Sequence, residues 1–240
     1  MHNQFIPKEH LKSQEYLEKL HSWSLNKKME LNLDKTKAMI LNFSRTKQFT
    51  ISLSIQEKQI EVVNQIKLLG TIITSDLKRD QNIANIIKRA NARMVLLRKL
   101  SEFKLKHEDM KIIYIAYIRS VLEQSCQVWH HSLSEENCTD LERIQKNALK
   151  IILGNKYKSY EDALDKLNLD NLQIRREKLC EKFAKKILEK EKTKRMFLLK
   201  ENFRKLKNSE QFAVNFGKTT RYFKSAIPQM QRLLNKQFKE

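Results

Sequence analysis

The stretch that decides the reading is Trp23-Ser24, Met29-Glu30-Leu31-Asn32, Lys35-Thr36-Lys37, Met39-Ile40 and Lys67-Leu68-Leu69-Gly70-Thr71. Upstream, residues 9–28 place Leu11, Leu17, Leu20 and Trp23 near one face at helical spacing. The period then shortens to two. Met29, Leu31 and Leu33 alternate with Glu30 and Asn32, and Met39, Leu41 and Phe43 alternate with Ile40 and Asn42, which predicts strands joined by a turn at Asp34-Lys35-Thr36-Lys37. Phe49 to Leu53 and Gln59 to Val63 predict a second hairpin around Gln56-Glu57-Lys58. Ile66 to Thr74 predicts a last strand pair bent at Gly70, with a bulge or a close backbone approach there.

From Asp80 the pattern is helical almost to the end. Ile83, Ile87, Ala90, Met94 and Leu97 form one stripe, flanked by Arg93 and Arg98, with Lys88 and Lys99 pointing away. Further helices are predicted from about Glu108 to Leu122, over 140–153 with a stop at Gly154-Asn155, and over 159–167 and 171–192. Residues 193–240 keep the period with fewer apolar positions. Gly217 and Pro228 interrupt them, so looser order is predicted there. The fold class expected is α+β, mainly α: a small, largely antiparallel sheet with one covering helix over residues 1–78, a helical domain over 79–155 and a basic helical extension over 156–240. With 3 glycines and 2 prolines in 240 residues, few turns rest on those residue types.

Net charge is +20, and it is uneven: +4 over residues 1–78, +5 over 79–131, −2 over 132–173 and +13 over 174–240. Such an excess repels itself unless a polyanion offsets it, which makes nucleic acid the first partner to consider; a solvated lysine-rich surface is the plainer alternative. Cys126, Cys138 and Cys180 are odd in number and widely spaced, which suits a reducing compartment better than a disulfide framework. No signal-peptide pattern opens the chain, and the apolar run Ile112 to Ile118 is too short to span a bilayer. An intracellular, soluble chain is expected.

The quoted stretch resembles the last third of the palm in reverse transcriptases of non-LTR (LINE-type, jockey-like) retrotransposons. The resemblance continues through Val121-Leu122-Glu123-Gln124, Cys126, Val128-Trp129-His130, Leu133-Ser134, Asp140-Leu141-Glu142-Arg143-Ile144-Gln145-Lys146, Ser159-Tyr160-Glu161, Ala163-Leu164, Leu172 and Arg175-Arg176-Glu177. It covers about residues 11–190. It implies RNA-directed DNA polymerisation by the intact enzyme, with magnesium held by an aspartate pair and a third carboxylate. By the same resemblance Asn32, Lys35 and Thr36 lie nearest the incoming nucleotide, and Lys67, Leu68, Leu69 and Gly70 form a primer-grip-like hairpin. Residues 80–153 then form a thumb in which Lys88, Arg89, Arg93, Arg98 and Lys99 meet the phosphates of a template–primer RNA–DNA duplex without reading sequence. The family's work at chromosomal DNA points to the nucleus.

The catalytic aspartates would belong upstream of Glu9, and none of Asp34, Asp76, Asp80, Asp109, Asp140, Asp162, Asp165 and Asp170 adjoins another. The chain is therefore expected to grip duplex without catalysing bond formation, and to bind no metal of its own. Residue types alone read Asn32 to Thr36 as a strand end with a charged turn. Trp129 reads as a packed anchor ahead of a base-stacking platform. Cys126, His130, His131 and Cys138 fit no common zinc spacing. No nucleophile triad and no phosphate-cradling glycine loop is present. A non-enzymatic basic helical module that binds nucleic acid or a protein is the alternative from another class.

Overall fold

The computed structural model describes residues 8–43, 50–197, 212–214 and 219–237. Among the described residues helices predominate, with three small strand pairs, two of them antiparallel. The chain divides into two compact units, Met1–Gln81 and Asn82–Glu240.

In the first unit α1 (Lys8–Asn26) packs through Leu17 on a core of Leu53, Ile55 and Ile60, which Leu31, Leu33, Ala38 and Ile51 extend. Gln14 fixes the helix to the sheet by donating to Ser54 O at 2.9 Å and accepting from Ser54 N at 3.2 Å. The stripe expected on α1 splits. Leu17 faces the core, whereas Leu20 and Trp23 are exposed, and the side chain of Leu11 lies outside the described residues.

No strand forms over residues 29–33. Asn32 Oδ1 accepts from Lys35 N at 3.0 Å, and Asn32 O accepts from the amide (3.0 Å) and hydroxyl (2.9 Å) of Thr36. That local turn outcompetes a ladder, so Leu31 and Leu33 reach the core from irregular backbone. Pairing begins only at β1 (Lys37–Ala38), which lies parallel to β4 (Glu61–Val62).

The hairpin expected around residues 56–58 consists of β2 (Ser54–Ile55) and β3 (Lys58–Gln59), antiparallel across Gln56-Glu57; Phe49 lies outside the described residues. Both loop residues have positive φ, +48° and +65°, the twist a two-residue hairpin requires. β5 (Gln65–Leu68) and β6 (Thr71–Thr74) pair antiparallel with Leu68 opposite Thr71. Leu69 and Gly70 close them at φ +47° and +85° in a tight turn, and of the two features expected at Gly70 the bulge is not formed, since the register runs unbroken.

The second unit is helical. α2 (Asp80–Glu102) buries Ile83, Ile86, Ala90, Met94 and Leu97. α3 (His107–Ile113) runs into a π-helical segment, Tyr114–Arg119, and then α4 (Ser120–Glu123). After α5 (Cys126–Trp129), α6 (Glu135–Leu153) starts at its cap Ser134, whose hydroxyl accepts from Asn137 N, five residues before the expected start. It stops where Gly154 turns to φ +51°. Ser159 caps α7 (Tyr160–Leu167), and Asn171 caps α8 (Leu172–Leu188).

One core takes residues from α2 through α8, including Leu167, Leu172 and Cys180, so the unit continues across residue 155. Beyond α9 (Glu191–Lys194) and α10 (Thr220–Phe223), α11 (Ala226–Gln237) packs on α8 through a second cluster of Ala184, Ile187, Phe197, Phe212, Met230 and Leu234. Pro228 lies in the first turn of α11, where no helical N–H bond is lost, so the helix runs through it. Gly217 lies outside the described residues.

Candidate nucleic-acid interface

In the first unit the Leu69-Gly70 turn projects two exposed leucines, Leu68 (57%) and Leu69 (88%), beside exposed Lys67. Without a Cβ, Gly70 takes φ +85° at little cost. Elsewhere in this unit the polar atoms of Asn32 and Thr36 are largely satisfied by their own turn, which leaves the exposed Lys35 side chain as its outward charge.

The five cations expected on α2 fall into two groups. Arg89 donates to Gln124 Oε1 at 2.8 Å. Arg93 donates to Tyr117 O and stacks its guanidinium 4.5 Å from the Tyr117 ring centroid. Both are half-buried struts between α2 and the π-helical stretch with its continuation. Lys88, Arg98 and Lys99 are exposed. Lys88 and Lys99 are eleven residues apart, so they share one helix face, and Arg98 sits about 80° away at the same end as Lys99. Sequence shows charge but not partners, so it could not separate the two groups.

A polar chain stiffens the scaffold behind this face. Tyr114 donates to Gln145 Oε1 at 2.5 Å, and Gln145 Nε2 donates to Tyr160 Oη (2.8 Å) and Asp170 O (3.0 Å). Tyr160 in turn donates to Glu142, whose carboxylate accepts from Leu172 N at the start of α8. Burial and the Glu142 carboxylate push the Tyr160 phenol upward, which keeps it a neutral donor. Glu123 receives Arg119 at 3.4 Å and Arg175 at 3.1 Å.

Arg176 was not expected as a core residue, yet it is fully buried. Its Nε donates to His130 Nδ1 at 3.3 Å, and its guanidinium lies 5.8 Å from the Trp129 ring. Burial, with Arg176 and His131 nearby, pushes the His130 imidazole down to about 3, so it stands neutral and accepts at Nδ1. The i, i+4 run Leu172, Arg176, Cys180, Ala184 carried the signal, since it puts Arg176 on the buried stripe. Trp129 is fully buried with its indole N–H on Gln124 O at 2.9 Å.

Among the described residues no three His, Cys, Asp or Glu side chains converge as a metal site. Asp34 is engaged with Lys58 at 2.5 Å and Asp76 with Thr74 at 2.6 Å. Among the described residues no helix is long and apolar enough to cross a membrane. Comparison with protein-family models, curated proteins and solved structures gives no match.

Proposed function

We propose that this chain is the C-terminal part of a non-LTR retrotransposon reverse transcriptase, supplying template–primer grip without the catalytic carboxylates. The observation that carries the reading is the division of the α2 cations. Arg89 and Arg93 brace the helix from within, and Lys88, Arg98 and Lys99 are presented on a rigid element where a duplex backbone can meet them. The sequence pattern from Trp23 to Gly70 supplies the family, and the net charge of +20 supplies the polyanion. In the intact enzyme bound magnesium would activate the primer hydroxyl; this chain's own residues bind and orient duplex. A nuclear location belongs to the same reading.

Two measurements test it. The purified chain should bind a blunt RNA–DNA hybrid with an affinity that falls steeply with salt, and should extend no primer in magnesium or manganese. A flat salt response removes the grip, and extension above a heat-killed control removes the claim of an incomplete centre. The second reading is a non-enzymatic basic helical module that binds nucleic acid or a protein partner, for which the net charge of +20 speaks equally. An in-frame or frameshifted Tyr/Phe-Ala-Asp-Asp segment in the DNA preceding the Met1 codon decides against it.

A further inference from the structure

The outer face of α1 has no role in the grip described above. Tyr16 is 70% exposed and Trp23 51% exposed, with exposed Leu20 between them. Gln14, Leu17 and Ser24 turn the opposite way; Gln14 and Leu17 meet the β2–β3 hairpin and its core, and Ser24 is buried. Residues seven apart on a helix point within about 20° of each other and stand about 10 Å apart along the axis. Exposed Lys12 and Lys19 lie along that face and exposed Lys27 just past its end, and the Lys19 ammonium lies 5.7 Å from the Tyr16 ring centroid.

We propose that this stripe binds single-stranded nucleic acid, with bases stacking on Tyr16 and Trp23 and phosphates meeting Lys12, Lys19 and Lys27. The proposal rests on the nucleic-acid reading above for its class of partner but uses different residues in a different unit. Two aromatic faces about 10 Å apart match a span of roughly three nucleotides at about 3.4 Å each. A duplex hides its base faces, so exposed rings have little to gain from it except at its ends. An unpaired strand offers a π-face at every nucleotide and is bound without regard to sequence.

Charge favours the polyanion over an apolar protein helix, because Lys12 and Lys19 stand next to the Tyr16 and Trp23 rings around the helix, nearer to them than Glu15 and Glu18 do. Glu15 and Glu18 follow beyond the lysines, and Glu18 accepts from Gln14 at 2.8 Å. An adjoining open cavity lined by Glu15, Glu18, Lys19, Ser22, Trp23 and Asn26 leaves room for a neutral base beside the Trp23 ring.

The chain has two tryptophans, and Trp129 is fully buried, so a change in indole fluorescence on adding a strand reports Trp23. The full chain is titrated with labelled (dT)15 and, separately, with a blunt RNA–DNA hybrid. (dT)15 should quench the fluorescence, and Tyr16→Ala, Tyr16→Leu and Trp23→Ala should each weaken its binding by roughly tenfold while leaving the far-ultraviolet spectrum and hybrid binding intact. Lys88→Gln/Arg98→Gln/Lys99→Gln should weaken the hybrid and spare (dT)15. Unquenched fluorescence, or (dT)15 affinity indifferent to Tyr16 and Trp23, overturns the proposal even if the hybrid binds. Loss of hybrid binding with the quench retained overturns the duplex grip and leaves the α1 site standing.

Discussion

Replacing Lys88, Arg98 and Lys99 by glutamine should flatten the salt dependence of duplex binding, whereas replacing Arg89 and Arg93 should not. Each phosphate neutralised on a duplex adds about 0.9 to the slope of log affinity against log salt, so three contacts contribute about 2.7. Between 0.05 and 0.2 M salt the intact chain should therefore lose about 40-fold more affinity than the triple variant. The arginines are spent elsewhere, on Gln124 and on the carbonyl and ring of Tyr117. Arg89→Gln and Arg93→Gln should keep the slope within about 0.5 and lower unfolding free energy by about 1–2 kcal/mol each. Fluorescence anisotropy of a labelled hybrid across that salt range, paired with urea unfolding, reads both quantities. If the arginine pair takes as much from the slope as the exposed trio, the division of α2 into struts and contacts is wrong.

Gln145→Leu should cost about 2–4 kcal/mol, because it leaves the buried Tyr114 hydroxyl and Asp170 carbonyl without their partner; urea unfolding showing under 1 kcal/mol would remove the network's structural weight. Stability should fall as pH drops below about 6.5. The unfolded His130 takes up its proton near 6.5 while the folded one resists to about 3, so the unfolded chain holds the extra proton between those values. By pH 5 the loss is about 2 kcal/mol, with His131, lowered by burial and by Arg232, adding in the same direction. His130→Gln should flatten most of that slope, and a curve identical to the parent's would refute the assignment. Ser159→Ala should cost about 1 kcal/mol through the lost cap on Asp162 N, measured the same way.

The helical half was legible because its stripes and caps are local: Ser159 and Asn171 announce α7 and α8, and the stripe Ile83, Ala90, Met94, Leu97 fixes the buried side of α2. The sheet half was less so. Alternation at Met29, Leu31 and Leu33 looks like a strand, yet Asn32 closes a turn there, and the parallel partner of Lys37–Ala38 lies 24 residues away, beyond any local pattern. Of the candidate site, the positions of the charges were readable and their engagements were not. Arg89 and Lys88 are neighbours of the same sign, and only packing sends one inward. Arg175 and Arg176 repeat the lesson, with the first on Glu123 and the second sealed against His130.

The π-helical run Tyr114–Arg119 sets the phase of everything that follows it. It houses one residue more than an ordinary helix would over the same rise, so α4 emerges rotated relative to α3. That offset is what brings Glu123 to Arg175 and Gln124 to Arg89. Shortening the run by one amino acid would spin those two side chains about 100° around the axis, uncoupling the braces on α2 and α8 together while every stripe in the primary structure stayed apolar.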